Sequence, residues 1–307
     1  MAKAIIVGSI NMDIVTYVQK HPQVGETVFC DDVKYFPGGK GSNQAISCKR
    51  LGCDTTMIAR VGDDEYGQEM IRFQENEGIH TKEVKKLKDA ATGRAFITVS
   101  QDSQNSIIVM SGANSIWDDT FLDSTTFEKD DVAIAQFEVP NDVIKKTFLK
   151  AKREGATTIL NPAPIREIDE VIKNNTDILI LNEIELQELT STIEDLTNKE
   201  ALFNHAKELM QSGYKTIIVT LGSAGVLLLD QQHRIIIEAR TVTPVDTTGA
   251  GDTFIGGIAS GLLRGLDIIE TIEFANIAAS LSVTRQGAAS SIPNLEEVNE
   301  IFWTTKS

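Results

Sequence analysis

Five short apolar runs, each closed by polar residues or glycine, do most to limit what this chain can fold into. Ala4 to Val7 ends at Gly8-Ser9, Val132 to Phe137 at Glu138, and Thr157 to Leu160 at Asn161-Pro162-Ala163-Pro164. Ile178 to Leu181 ends at Asn182-Glu183, and Thr216 to Thr220 at Leu221-Gly222-Ser223-Ala224-Gly225. A strand that is apolar at every position is buried on both faces, the condition of a parallel sheet covered by helices. From about Asp130 onward the runs alternate with helical stretches, so the expected fold is α/β, a doubly wound, mostly parallel sheet flanked by helices. Such sheets bind ligands beyond the carboxyl ends of their strands, and the polar residues named above converge on that rim.

Two stretches break the pattern. Val15 to Phe36 and Arg94 to Met110 are β-rich without helical periodicity, and Asp102-Ser103-Gln104-Asn105 sits between two apolar stretches like a hairpin turn. Flanked by α/β sequence, they predict a small β-sheet lid, formed by about 15–36 and 94–110 and inserted within one α/β domain over 1–307. Its exposed side must be covered by something.

The chemistry concentrates in Asp246-Thr247-Thr248-Gly249-Ala250-Gly251-Asp252-Thr253-Phe254. Gly249, Ala250 and Gly251 offer backbone N–H groups at a helix start, where the helix dipole also favours an anion. Asp252 beside a bound phosphate would be repelled unless it takes a proton from an attacking hydroxyl, as in phosphoryl transfer. A tight turn with a dipole-compensating carboxylate is the other reading of the same residues. Behind the loop, Phe254, Ile258 and Leu262 recur as one helical stripe, while Gly256, Gly257 and Gly261 leave room for close packing.

Near the first strand, Asn11 and Asp13 stand two apart, where extended chain turns both the same way toward a polar ligand; turn chemistry is the alternative. Pro37-Gly38-Gly39-Lys40-Gly41-Ser42-Asn43-Gln44-Ala45 opens a helix reaching about Leu51. It is not a dinucleotide fingerprint, because Gln44 replaces the third glycine, and no Walker A sequence occurs. Gly39 and Gly41 let backbone approach a small polar ligand, for which Lys40 and Asn43 supply donors.

A net charge of −15 without a basic cluster argues against nucleic acid or an anionic membrane as partner. Cys30, Cys48 and Cys53 form neither a disulfide framework nor a zinc spacing. No apolar run is long enough to span a membrane, and the lead from Met1 to Val7 is too short for a signal peptide, so the expected location is cytoplasmic.

The two glycine-bearing stretches resemble the two signatures of the ribokinase-like (PfkB) family of carbohydrate kinases, and the similarity covers nearly the whole chain. The resemblance implies ATP-dependent transfer of a phosphoryl group to O5 of D-ribose, giving ribose 5-phosphate, with Asp252 as general base and Gly249 to Gly251 as anion hole. It implies a sugar site of Asn11, Asp13, Gly39, Lys40, Gly41, Asn43, Glu138 and Asp252. It places the nucleotide against Asn182, Thr220, Leu221, Gly222, Ser223, Ala224, Gly225, Gly251 and Asn276. The run Asn182-Glu183-Ile184-Glu185 is similar to the family element that organises the Mg2+ travelling with ATP. A K+ activator would lie among Asp246, Thr248, Ser282, Arg285, Gly287 and Ser291, mostly on backbone carbonyls, and two lids would pack together in a homodimer. A loose transition state asks only an ordinary or lowered pKa of Asp252. Met12 and Arg94 depart from the family pattern, with consequences expected in the sugar pocket. The rivals are another sugar, 2-deoxyribose first and then fructose or a nucleoside, and a non-catalytic sugar-binding protein on the same fold. A Rossmann dehydrogenase is weakened by the missing glycine.

Overall fold

The computed structural model describes residues 2–102, 104–191 and 198–304; Ser103, in the expected hairpin turn, lies outside them. Strands in chain order are β1 (Ala4–Val7), β2 (Asn11–Val18), β3 (Asp32–Gly38), β4 (Thr55–Gly62), β5 (His80–Leu87), β6 (Gly93–Ser100) and β7 (Asn105–Met110). They continue as β8 (Val132–Gln136), β9 (Thr157–Asn161), β10 (Ile178–Asn182), β11 (Thr216–Thr220), β12 (Val226–Leu229) and β13 (Arg234–Ile237). The α-helices are α1 (Lys40–Arg50), α2 (Glu65–Asn76), α3 (Asn141–Arg153), α4 (Glu170–Asn174), α5 (Glu183–Leu189), α6 (Lys199–Gln211), α7 (Ala250–Leu263), α8 (Ile268–Ser282) and α9 (Leu295–Thr304).

The large sheet runs β13-β12-β11-β10-β9-β8-β1-β4-β5. Pairing is parallel from β11 through to β5, and antiparallel where β12 and β13 close the other edge. Five expected runs thus become five neighbouring parallel strands. Ile5 and Val7 pack into the core on one face of the sheet, Ala4 and Ile6 into the core on the other. An unbroken apolar run follows from having both faces covered. From β1 the chain steps outward through β4 and β5, then returns to β8 on the other side of β1, so strand order reverses there. A crevice opens at such a reversal.

The smaller sheet runs β3-β2-β6-β7, with β2 and β6 parallel and the outer pairs antiparallel. Its strands begin at Asn11 and reach Gly38, wider than 15–36, because the polar start of β2 carries no apolar signal of its own. Exposed apolar side chains stud this sheet, including Tyr35, Phe96, Ile107, Ile108 and Val109.

Helix α7 differs from the expected single stripe. Every residue from Asp252 to Gly261 is buried, because α7 is wedged against α1 on one side and α8 on another. Its glycines permit this: a Cβ on Gly257 would lie 2.6 Å from Ala275 Cα, and one on Gly256 would lie 2.1 Å from Ser47 Oγ. Larger residues would push the helices apart.

Candidate active site

Gly249, the N-cap of α7, has φ 75°, a left-handed conformation that glycine adopts without steric cost. Ala250 N–H donates to the Thr247 carbonyl at 3.2 Å, so it is less free than the sequence suggests. No described group accepts from Gly249 or Gly251 N–H, and the space above Gly251 is open. The cradle for an anion therefore rests on these two amides and the dipole behind them.

Asp252 sits one step inside and is 8% exposed. Gln44 Nε2 donates to its Oδ1 at 2.9 Å and Asn43 Nδ2 to its Oδ2 at 3.1 Å. Burial pushes its pKa above the ordinary value, while Lys40 and the two amide donors pull it back and Glu138 adds to the rise. This corrects the expectation of an ordinary or lowered value: the residue opens a helix, but the helix is buried. Burial alone would depress the Lys40 ammonium, yet Asp252, Glu138 and Glu185 outweigh it and hold Lys40 above its ordinary range. One cation thus faces three carboxylates.

On the sugar side, Glu138 lies at the end of β8 beside the start of α1. Its Oε2 accepts from Lys40 N at 3.0 Å and from the Ser9 hydroxyl, and Gly41 N donates to Ser9 Oγ at 3.3 Å. Asn11 is 3% exposed and its Oδ1 accepts from Asn114 Nδ2 at 2.7 Å, which leaves the Asn11 amide N–H groups for a ligand. Asn11, Asn114, Glu138 and Arg166 line a cavity of ≈ 420 Å³. Asp13 packs over Gly38, where a Cβ would meet its carboxylate at 2.2 Å. Burial, then Glu138 and Asp252, push its pKa from 3.8 to about 7. Among the described residues no side chain or N–H donates to Asp13, so its oxygens are available to hydroxyl donors. Asn43 likewise keeps a buried Oδ1 without a partner. Gly39 approaches Asn11 closely enough that a Cβ would lie 2.8 Å from its N, consistent with a backbone that must come near.

Met12 and Arg94 do not reach this pocket. They pair across β2 and β6 on the face opposite Asn11 and Asp13, because side chains alternate along a strand. Met12 is 1% exposed in the core, and Arg94 lies over the Tyr66 ring at 4.8 Å and meets Asp64 at 3.4 Å. Their departure from the family pattern therefore leaves the pocket wall untouched.

Between the two sides lies a cavity of ≈ 200 Å³ lined by Lys40, Asn161, Asn182, Glu185, Thr220, Gly249, Gly251 and Asp252. Asn182 and Glu185 form a reciprocal cap at the start of α5: Glu185 N donates to Asn182 Oδ1 and Asn182 N to Glu185 Oε2, both at 2.9 Å. Burial raises the Glu185 carboxyl against the Asn182 N–H and Lys40. Beyond Gly251 a second cavity, ≈ 490 Å³, takes in Thr220, Gly222, Ser223, Gly225, Val242, Pro244, Asn276 and Val283. Asn276 keeps a buried Nδ2 without a partner. Leu221 departs from its expected role, since it turns into the core at 6% exposure to close the layer behind β11. Ala224 is exposed on the short turn and is not on the cavity wall.

Asp246 joins the two loops expected to flank a cation. Its Oδ1 accepts from Thr248 N at 2.9 Å and Thr248 Oγ1 at 2.6 Å, and its Oδ2 from Gly287 N at 2.9 Å. Burial would raise this carboxyl, but the Thr248 and Gly287 donors outweigh it and hold it below its ordinary value. Gly249 abuts the same second loop, where a Cβ would lie 3.0 Å from Ala288 Cα. The Ser282 and Ser291 hydroxyls donate to Ala279 and Ala288 carbonyls, and the Arg285 guanidinium pairs with Glu297. Those three side chains are therefore engaged within their own segment of the chain.

Two buried partners, Asn114 and Gln136, escaped the sequence reading, and two more, Asn161 at a strand end and Gln44 in the first glycine-bearing stretch, were named there without a partner. Each acts through a partner far away in sequence, so no local spacing announces it.

Residues 1–295 match the family described as pfkB family carbohydrate kinase. The chain is 39% identical to a ribokinase of Staphylococcus aureus over 303 residues, covering 97% of this chain and 99% of that one. It is 34% identical to a deoxyribokinase of Salmonella typhimurium over 298 residues, covering 96% and 97%. The solved structure of Arabidopsis thaliana ribokinase complexed with ribose and ATP superposes with a TM-score of 0.89 at 30% identity, covering 98% of this chain and 99% of that one.

Proposed function

Since the chain belongs to the pfkB family of carbohydrate kinases, we infer that it is an ATP-dependent ribokinase that phosphorylates D-ribose at O5. The observation that carries this reading is the buried Asp252 carboxylate, held by Gln44 and Asn43 beside the open Gly249 and Gly251 amides. Asp252 lines the ≈ 200 Å³ cavity, which lies between the cavity bearing Asn11 and Glu138 and the larger one bearing Asn276, and the Asp13 carboxylate that senses it accepts from no donor among the described residues.

In this reading Asp13, Asn11, Asn43 and Glu138 orient the sugar, with the Gly39 to Gly41 backbone alongside. Asp252 takes the proton from O5 as the oxygen bonds to the γ-phosphorus. The bond to the β-γ bridging oxygen breaks, and ADP leaves with that electron pair. The Gly249 and Gly251 amides, with the helix dipole, stabilise charge on the transferring group, and Lys40 offsets it from the sugar side. The raised Asp252 still suits the role, because the proton moves late in a loose transition state.

Mg2+ fits beside Glu185 and Asn182, where oxygen donors face the small cavity, and when bound it neutralises the nucleotide phosphates. A K+ ion fits the Asp246 clamp, whose carboxylate is held ionised and whose neighbours offer carbonyls. It would hold the anion-hole loop in place. The exposed apolar face of the lid supports a homodimer formed through it. Among the described residues no helix is long and apolar enough to cross a membrane, and we assign the enzyme to the cytoplasm.

The deoxyribokinase relative makes 2-deoxyribose the second reading. ADP release measured with ribose, 2-deoxyribose and fructose in potassium buffer decides between them. The ribose reading requires the highest kcat/KM with ribose; a preference for 2-deoxyribose overturns it, and no sugar-dependent ADP release would leave only a binding protein.

A further inference from the structure

We propose that Gln136, together with Asn161, is a positioning residue that fixes which end of the Gln44 amide faces Asp252. The inference rests on Asp252 being the base, as argued above. A side-chain amide has a donor end and an acceptor end, and only the donor end stabilises a carboxylate.

Four links give the network a direction. Asn161 Nδ2 donates to the Ile180 carbonyl at 3.1 Å, and since a carbonyl cannot donate, this turns Asn161 Oδ1 toward Gln44. Gln44 Nε2 then donates to Asn161 Oδ1 at 3.3 Å and to Asp252 Oδ1 at 2.9 Å. Its other end, Oε1, accepts from Gln136 Nε2 at 2.6 Å. Gln44 and Gln136 are wholly buried, so water cannot substitute for either partner. Reversing the Gln44 amide would bring its oxygen against the Asp252 and Asn161 oxygens and its NH2 against the Gln136 NH2.

Gln136 gains nothing else from this arrangement. Its own Oε1 is buried without a partner, walled off by Gly8, where a Cβ would lie 2.2 Å away. An unsatisfied buried carbonyl is costly, and its persistence calls for a reason. The donor it gives to Gln44 supplies one. Gln136 does not line the cavities that hold Asp252, Glu138 or Asn276, and so has no place to touch either substrate.

Two variants of the full chain test this, with pH profiles of kcat measured beside Asp252→Asn. Gln136→Met keeps the shape and removes the donor; kcat should fall about 10- to 100-fold while KM for MgATP stays within about twofold. The acid limb of its profile should move to higher pH, because a loosened Gln44 no longer favours ionised Asp252. The charged groups that otherwise face Asp252, namely Lys40, Glu138, Asp13 and Glu185, are the same in both proteins, so they cannot produce the difference. Gln136→Glu gives a second signature. Protonated, its carboxyl donates to Gln44 Oε1 as the amide did; ionised, it demands the Gln44 NH2 for itself and turns the amide round. Its kcat relative to wild type should therefore fall as pH rises. Gln136→Met with wild-type kcat and an unmoved acid limb overturns the proposal. If that variant does not fold, a pH-independent ratio for Gln136→Glu overturns it equally. An active Asp252→Asn enzyme would instead sink the assignment of the base.

Discussion

Replacing Asp13 with Asn should make the empty protein more stable and the enzyme useless for sugar. The Asp13 carboxyl is half-buried, accepts from no donor among the described residues, and has its pKa pushed up to about 7, against 3.8 for an ordinary aspartate. Between those values the folded state binds a proton that the unfolded chain has released. Folded-state stability is therefore greatest below 3.8, falls as pH rises, and levels off above about 7. Each pKa unit is worth about 1.4 kcal/mol, so Asp13 costs the fold about 2 kcal/mol at pH 5.5, where the folded state must keep the proton, and about 4 kcal/mol at pH 8.5, where the carboxylate is ionised. Asparagine, which does not titrate, escapes that cost. In thermal melts without ligand, Asp13→Asn should melt above wild type, by on the order of 5 °C at pH 8.5 and less at pH 5.5. Ribose should raise the wild-type Tm most at alkaline pH, where its hydroxyls find the carboxylate ionised, and should barely move the variant. A variant no more stable than wild type at pH 8.5, or one that ribose still stabilises fully, would refute the reasoning.

Asp252→Asn should lower kcat by about 10²- to 10⁴-fold with both KM values little changed, checked by coupled ADP assay. Potassium should raise activity clearly over sodium at equal ionic strength, and Asp246→Ala should erase most of that difference; equal rates in the two salts for wild type would remove the cation from the account. Gly257→Ala forces α7 from α8 at a backbone contact of 2.6 Å and should cost about 1 to 3 kcal/mol, read from the urea midpoint.

Five parallel strands of the large sheet were legible because they are buried on both faces and spell this out as short, largely apolar runs. β5 was not legible: in His-Thr-Lys-Glu-Val-Lys-Lys-Leu, an edge strand, charged residues outnumber the two apolar ones, Val84 and Leu87, and leave no apolar run. β4 hides differently, since Arg60 interrupts it and is accommodated by Trp117, 4.5 Å from its guanidinium, by Asp118 and by the Ala59 carbonyl. In the site, Lys40, Glu138 and Asp252 could be found from glycine loops and strand ends. The protonation behaviour of Asp252 could not, because it depends on the depth of α7, set by α1 and α8 packing on its glycines. Leu221 shows the reverse error, where a loop residue counted with the nucleotide is an anchor for the core.

The lid leaves the body within three residues, from Val7 at the end of β1 to Asn11 at the start of β2. Asn114 pins that pivot, donating to the Ile10 carbonyl at 3.2 Å and accepting from Ile10 N at 3.0 Å. The sheet is in effect a lever whose residues proposed to orient the sugar, Asn11 and Asp13, lie at the fulcrum, while the loop over 19–31 rides at the far end. Displacement grows with distance from a fulcrum, so any rotation about this pivot moves the tip most and Asn11 least. Sequence drift at the tip is then mechanically decoupled from sugar recognition. Lids of related enzymes are free to lengthen, shorten or change their outer surface there without retuning the pocket below.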